Sequence, residues 1–136
     1  EHFVQVCGTT PCMLRGSRDL NAVCERHIGE ENHVSADGKF SWLEVECLGA
    51  CVNAPMVQIS TKTDDHFYED LTPDALENLL AQLKRGEKRK IGTQNPRRRT
   101  SDPEGEPRTL VDPALYDGSR AAPLTLPNAA PKAPAE

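Results

Sequence analysis

The chain has 136 residues, of which 37% are hydrophobic and 11 are Pro, and its net charge is −5. This length allows one small domain and excludes a second domain of ordinary size. No apolar run approaches the ~20 residues that a membrane-spanning helix needs, and the acidic balance argues against general binding to nucleic-acid phosphates. We therefore expect no direct membrane insertion and no nucleic-acid partner.

The chain opens on a predicted strand. Residues 2–7 alternate polar and apolar side chains and lead into Gly8. Because the sequence enters this strand at once and without an initiator Met, we interpret it as a processed or truncated piece. From about Leu14 to Ile28, apolar residues recur at i, i+3, i+4 and i+8, which predicts a helix that ends at Gly29.

Three more strands and a second helix follow. An Asp-Gly turn opens a strand over residues 39–46, and residues 56–59 and 66–69 form a predicted hairpin. Thr72 is a good N-cap for a helix whose leucines recur at i, i+3, i+4 and i+7 until a closing glycine. The predicted order is β-α-β-β-β-α, an α/β domain with a small sheet and two helices.

The composition changes at Gly86. Residues 1–86 carry 14 acidic and 7 basic side chains and all five cysteines, whereas residues 87–136 carry 7 acidic and 9 basic side chains and eight of the 11 Pro. The second part has no sustained apolar period, so we expect polyproline and turn segments that become ordered only on a partner surface. The sequence thus predicts a folded domain over residues 1–86 and a long irregular tail over residues 87–136.

The distinctive chemistry of the chain lies in its cysteines. Cys7 and Cys12 follow the first predicted strand, Cys47 and Cys51 follow the second, and Cys24 lies on the apolar stripe of the first helix. If the two strands are neighbours, the four paired thiols converge at one edge of the sheet. We interpret Cys24 as a small buried hydrophobic residue and not as a fifth ligand.

Convergent thiols have three interpretations. A disulfide framework is typical of small secreted domains without such a helical core, and it leaves one of five thiols over. Structural zinc usually takes Cys-x2-Cys knuckles, although its spacing extends to four residues. A two-iron two-sulfur cluster needs wider loops that donate backbone N–H groups to the sulfides, and both loops here are wide and carry Gly. We favour the cluster. A thioredoxin-type dithiol catalyst is disfavoured, because it needs a Cys-x-x-Cys pair at a helix start and this chain has none.

Four segments of the domain are distinctive as motifs: VCGTTPC at residues 6–12, DGKF at 37–40, VECLGACVNAPMV at 45–57 and YEDLT at 68–72. They closely resemble the thioredoxin-like iron–sulfur subunit of the NADH dehydrogenase module of respiratory complex I. The resemblance covers residues 1 to about 86. It implies a thioredoxin-like fold and one 2Fe-2S cluster bound by Cys7, Cys12, Cys47 and Cys51.

The resemblance also implies the function of an electron-transfer subunit of NADH:quinone oxidoreductase. A partner subunit would carry flavin mononucleotide and bind NADH, since this chain has no Gly-x-Gly-x-x-Gly motif and, as we interpret it, no catalytic site of its own. Other peripheral-arm subunits would be further partners, on the cytoplasmic face of a bacterial inner membrane or on the mitochondrial matrix side. Family members have a helical N-terminal region ahead of this domain, which this sequence lacks.

Other functions remain open at this stage. The related ones are the equivalent subunit of an NAD-linked hydrogenase or formate dehydrogenase, and a free thioredoxin-like ferredoxin. The distant one is a zinc-stabilised interaction module without a redox role. The resemblance to thioredoxin-like folds further suggests a cis peptide bond between Ala54 and Pro55, at the loop-to-strand junction facing the redox site.

The remaining conspicuous residues have ordinary structural interpretations. The four histidines show no paired spacing, so surface or capping roles are expected for His2, His27, His33 and His66. Three aromatic residues on predicted strands are expected in the core: Phe40, Trp42 and Phe67. The basic residues around the end of the second helix complement its dipole, so we interpret them as solvated.

The tail carries short apolar anchors separated by Pro and charges. They are Ile91, Leu110-Val111, Leu115-Tyr116 and Leu124-Thr125-Leu126. This spacing suggests a strap whose anchors occupy separate pockets on a neighbouring subunit, with Arg97-Arg98-Arg99 meeting an acidic surface. A strap of this kind makes few contacts with residues 1–86.

Overall fold

The structure, a computed structural model, describes residues 1–101 together with Pro113 and Gly118. Its strands and helices follow one another in chain order: β1 (His2–Cys7), α1 (Thr10–Leu14), α2 (Ser17–His27), β2 (Phe40–Val45), β3 (Val57–Ser60), β4 (Asp65–Glu69), α3 (Pro73–Lys84) and β5 (Gly92–Thr93). A 3-10 turn over Cys51–Asn53 precedes β3. In the part of the chain that the structure describes, no helix combines the length and the hydrophobicity needed to span a membrane.

One five-stranded sheet organises the domain, in the order β2-β1-β3-β4-β5. β1 pairs in parallel with β2, because α1 and α2 form the crossover between them, and antiparallel with β3. The register sets Cys7 opposite Val45. The carboxyl ends of β1 and β2 therefore meet at one edge of the sheet, and the loops that follow them emerge side by side.

The core forms where α2 and α3 cover one face of the sheet. Alternate residues of the strands point to that face, as Val4 and Val6 of β1 do, and both are fully buried. The helices contribute the apolar stripes predicted from the sequence, and all the residues of this cluster are buried: Val4, Val6, Leu20, Val23, Cys24, Ile28, Phe40, Trp42, Val57, Ile59, Tyr68, Leu71, Leu76, Leu79 and Leu80. Burial of these stripes holds the helices on the sheet.

α3 begins where its sequence predicts. The side chain of Thr72 accepts a hydrogen bond from the backbone N–H of Ala75 at 3.2 Å, Pro73 occupies the first helical position, and Asp74 lies in the first turn. We expect Thr72→Ala to lower the free energy of unfolding by about 1 kcal/mol, because an N-terminal N–H loses its acceptor. Urea unfolding followed by circular dichroism measures the change. Thr72→Ser keeps the hydroxyl and is the control; an equal loss in both variants would contradict the capping role.

The structure differs from the sequence-based expectation at the helix after β1. The single helix expected from about Leu14 to Ile28 is two helices, since Gly16, at φ 102°, separates α1 from α2. A left-handed backbone of this kind suits glycine and breaks the α-helical run. As a result Cys12 lies on a helix and not in an open loop. The Ala54–Pro55 peptide bond is cis, which confirms that prediction.

The first part of the predicted tail packs on the domain. β5 pairs in parallel with β4, Arg98 forms an ion pair with Asp70, and the backbone N–H of Ser101 donates to Glu69 at 2.9 Å. The expectation that the tail makes few contacts with residues 1–86 is therefore wrong for residues 92–101. Backbone hydrogen bonds and acidic side chains at the end of β4 hold this segment, a possibility that its irregular composition does not reveal.

The remaining features expected of the tail have mixed outcomes. Ile91 is half exposed, and Arg98 meets an acidic residue of the same chain instead of a neighbouring subunit. The other apolar anchors, at residues 110–111, 115–116 and 124–126, lie outside the described residues. The division at Gly86 itself stays a prediction.

Candidate metal centre

Four of the five cysteines come together at the edge of the sheet where β1 and β2 end. Cys7 is the last residue of β1 and Cys12 lies on α1, while Cys47 follows β2 and Cys51 begins the 3-10 turn. The parallel pairing of β1 with β2 brings the two loops together. The convergence expected from the sequence thus results from the neighbouring strands.

The thiols contact one another within and between the pairs. The Sγ atoms of Cys47 and Cys51 are 3.3 Å apart, and the buried Cys7 raises the pKa of the neighbouring Cys12. Influence also passes between the pairs, since Cys7 lowers the pKa of Cys47 and Cys51 raises that of Cys12. The four thiols therefore lie near one another at this edge of the sheet.

Backbone and hydroxyl donors point at these sulfur atoms. The N–H of Gly49 donates to the Cys47 Sγ at 3.4 Å, and the backbone of Leu48 and of Thr9 lowers the pKa of Cys7. The Thr9 hydroxyl also lies 3.4 Å from the Cys7 Sγ. Gly49 adopts φ 88°, a left-handed conformation that lets the loop turn its amide toward the sulfur. Donors of this kind stabilise thiolates and the sulfurs of iron–sulfur clusters.

The same contacts give the two thiols of each pair different pKa values. Burial opposes ionisation of Cys7, but hydrogen bonds from Thr9 and Leu48 outweigh it and lower its pKa. The Gly49 N–H lowers the pKa of Cys47. Burial, with Cys7 alongside, raises the pKa of Cys12 to about 12, and the hydrogen bond with Cys47 raises that of Cys51. Each pair thus has one thiol that ionises first; a bound metal displaces the remaining protons.

The site is dry on one side and open on the other. Cys7 and Cys12 are only 2% and 1% exposed, whereas Cys47 and Cys51 are exposed. The buried pair packs in a small apolar cluster of its own, separate from the main core, with Ala50, Ala54, Met56, Leu48 and Phe67. This floor limits water on the β1 side, so the accessible edge of the site is the one formed by Cys47 and Cys51.

Cys24 is apart from the other four cysteines. It is fully buried in the main core beside Leu20 and Val23, and burial raises its pKa to about 12. The sequence-based expectation of a buried hydrophobic role is confirmed. A thiol in this environment is protonated at neutral pH and has the reactivity of a packing residue.

The other residues considered from the sequence are placed as follows. His2 stacks on Phe40, His27 pairs with Glu77, His33 lies beside Glu30, and His66 lies in β4. Trp42 and Phe40 are buried in the main core as expected, whereas Phe67 is partly buried and packs on the cysteine cluster. Phe67 and its neighbour Tyr68 point to opposite faces of β4. Since side chains alternate along a strand, the sequence could have indicated that Phe67 lies outside the main core.

The donor set fits a two-iron cluster. Such a cluster takes four cysteine thiolates, two on each iron. The pairs Cys7 with Cys12 and Cys47 with Cys51, the N–H donors and the apolar floor fit such a group.

Comparison with known proteins identifies a matching family, two similar sequences and a similar solved structure. A family model described as thioredoxin-like [2Fe-2S] ferredoxin matches residues 1–84. The chain is 50% identical over 116 residues to NADH dehydrogenase [ubiquinone] flavoprotein 2, mitochondrial, of Dictyostelium discoideum, covering 85% of this chain and 45% of that protein. It is 49% identical over 85 residues to an NADH-quinone oxidoreductase subunit of Rickettsia bellii, covering 62% of this chain and 48% of that protein.

These matches extend the comparison beyond the motifs. The chain spans about half the length of the two relatives. An alignment of 116 residues reaches past Gly86, so part of the segment that carries no recognised motif is shared with the Dictyostelium protein. A solved thioredoxin-like [2Fe-2S] ferredoxin from Aquifex aeolicus, 22% identical, superposes with a TM-score of 0.55 over 77% of this chain and 96% of that one. The expected thioredoxin-like fold is confirmed.

Proposed function

This chain belongs to the family of thioredoxin-like [2Fe-2S] ferredoxins, and on that premise we propose that it is an electron-transfer subunit of an NADH:quinone oxidoreductase. Its cluster is held by Cys7, Cys12, Cys47 and Cys51. The observation that carries the proposal is the convergence of these four thiols, one pair from each of two neighbouring parallel strands, with backbone N–H groups directed at them. A cluster of this type supplies one-electron chemistry when bound.

The charge of the domain supports a low reduction potential. Residues 1–86 carry 14 acidic and 7 basic side chains, and four thiolates add further negative charge at the site. An electron that enters this environment is repelled, so reduction is disfavoured. The N–H groups of Gly49, Leu48 and Thr9 offset part of this repulsion. The chain's own residues thus set the potential through the balance of charge and donors.

The exposed edge of the site supports exchange of electrons with another protein. Cys47 and Cys51 are exposed, while Cys7 and Cys12 are shielded by the apolar floor. A partner that docks over the loop of Cys47 and Cys51 reaches the cluster by the shortest path. We propose that this partner is a subunit that carries flavin mononucleotide and oxidises NADH, and that this chain has no catalytic site of its own.

The relatives support the larger assembly. Both named relatives are subunits of NADH dehydrogenase or NADH-quinone oxidoreductase. We propose that this chain lies in the peripheral arm of such a complex, beside other subunits, on the cytoplasmic face of a bacterial inner membrane or on the mitochondrial matrix side. Within the chain, we propose that residues 1–86 are the cluster domain, on which residues 92–101 pack.

Iron analysis tests the proposal. The full chain, purified without oxygen, is expected to contain iron and acid-labile sulfide at about two of each per chain, with visible absorption that dithionite bleaches. A colourless protein that contains zinc would overturn it. The partner is tested separately: NADH alone should leave the visible absorption unchanged, and NADH with a flavin-bearing subunit of an NADH dehydrogenase should bleach it. No bleaching with that subunit present would contradict the place in the complex.

A further inference from the structure

A buried carboxylate is hydrogen-bonded to the turn that carries Cys51. Glu69, the last residue of β4, is 0% exposed. A buried carboxylate without hydrogen-bond partners is strongly destabilising, so buried carboxylates are found where donors surround them. The donors that reach Glu69 therefore indicate what it holds in place.

These donors are neutral groups from two segments that are far apart in sequence. The side-chain amide of Asn53 donates to Oε2 at 2.6 Å. The backbone N–H of Ser101 donates to Oε2 at 2.9 Å, the Thr100 hydroxyl donates to Oε1 at 3.2 Å, and the Ser101 hydroxyl also donates to Oε1. Both oxygens of Glu69 are thus occupied. We call Asn53, Glu69, Thr100 and Ser101 the Glu69 latch.

One end of the latch belongs to the metal centre. Asn53 is 2% exposed and ends the 3-10 turn that Cys51 begins. Its backbone N–H donates to the Ala50 carbonyl at 3.0 Å, and its own carbonyl accepts from the Asp70 N–H at 2.7 Å. The turn has little apolar packing at its start, because Cys51 and Val52 are exposed. Hydrogen bonds through Asn53 therefore set the position of the turn.

The other end is the segment after α3. The N–H of Gln94 donates to the Glu69 carbonyl at 2.9 Å, and Arg98 pairs with Asp70. The Arg99 carbonyl accepts a second hydrogen bond from the Asn53 amide at 2.7 Å. Gly92 makes the return possible, since a Cβ there would lie 2.5 Å from the Thr100 hydroxyl. Residues 92–101 thus fold back onto the turn of Cys51.

We propose that Glu69 is a positioning residue of the metal centre, which acts through Asn53 on Cys51, and that residues 100–101 are part of this support. The inference rests on the proposed function, since Cys51 is taken as a cluster ligand. Loss of the carboxylate weakens the hydrogen bond that the Asn53 amide makes to Oε2 and leaves only the Arg99 carbonyl as its second acceptor, and the turn then holds the Cys51 thiolate less firmly. Groups that orient metal ligands in this way tune both the affinity of a site and its potential.

The test compares three variants of the full chain. Glu69→Gln keeps the shape of the side chain and removes its charge, and Ser101→Ala keeps the carboxylate and the backbone donor and removes one hydroxyl. Asp37→Asn is the matched control. It also replaces a carboxylate with an amide, but Asp37 forms an ion pair with Lys84 and belongs to neither segment of the latch. The measurements are the midpoint potential, the electron paramagnetic resonance spectrum of the reduced cluster, and the rate of iron release to a chelator. All are made at a temperature at which circular dichroism shows each variant folded.

We expect Glu69→Gln to release iron about tenfold faster than the wild type, with a shifted potential and an altered resonance spectrum. Ser101→Ala should change in the same direction by less, and Asp37→Asn should match the wild type. Wild-type behaviour of both latch variants, or an equal change in Asp37→Asn, would overturn the latch while leaving the cluster in place. A wild-type chain without iron would overturn the proposed function and the latch together. If Glu69→Gln does not fold, Ser101→Ala decides the question.

Discussion

Replacing Cys12 with alanine should remove the cluster from the purified chain. Cys12 is 1% exposed on the apolar floor of the site, and the apolar side chains around it cannot take the place of the lost thiolate on an iron atom. Loss of a group that only supports a ligand lowers metal affinity about 10- to 100-fold. Loss of a ligand itself lowers the affinity more, so we expect the iron content to fall at least ~tenfold. Iron, acid-labile sulfide and visible absorption measure the result.

Cys24→Ala is the control for this experiment. It also removes a buried thiol, but from the main core, and it should leave the visible spectrum and the iron content unchanged. Alanine variants of Cys7, Cys47 and Cys51 should behave like Cys12→Ala. Retention of a full complement of iron in any of these four ligand variants, or loss of the cluster in Cys24→Ala, would show that the ligand set is wrong.

Leu76→Ala should strongly lower the stability of the domain. Leu76 is 0% exposed and packs in the main cluster between the helices and the sheet. Truncation removes buried methyl groups and leaves a cavity that the rigid surroundings fill only in part. We expect the free energy of unfolding to fall by about 2–5 kcal/mol, measured by urea unfolding without oxygen.

Leu14→Ala is the matched control, because the same atoms are removed from a leucine that is 75% exposed on α1. Its effect should stay within about 0.5 kcal/mol. A comparable loss in both variants would mean that burial in the main cluster is not what makes Leu76 important.

The principal strands and helices follow from local patterns in the sequence. The alternation over residues 2–7 predicts β1, and the leucine stripe with its Thr72 cap predicts α3, since each element must bury one face and satisfy its own ends. The pairing of Cys7 with Cys12 and of Cys47 with Cys51 is also a local property, because the two cysteines of each pair are at most five residues apart in sequence. The sequence therefore predicted the thiols that converge, and the motifs around them predicted the family that the comparisons confirm.

The relation between the two loops depended on the tertiary structure. Only the parallel pairing of β1 with β2 brings the cysteine pairs together, and strand pairing joins residues more than thirty positions apart, which no local period encodes. Gly16 and the short α1 were missed for a different reason, as five residues are too few to show a helical period.

Residues 92–101 show most clearly what the sequence alone leaves undecided. Their composition is typical of an unpacked tail, and the determinants of their position lie elsewhere, on Glu69, Asp70 and Asn53. A buried carboxylate looks like any surface glutamate in a sequence, because its environment is formed by segments that meet only after folding. The sequence by itself thus determined the elements and the candidate ligands, whereas the tertiary structure decided which distant groups support them, since hydrogen bonds between segments depend on position in space and not on separation along the chain.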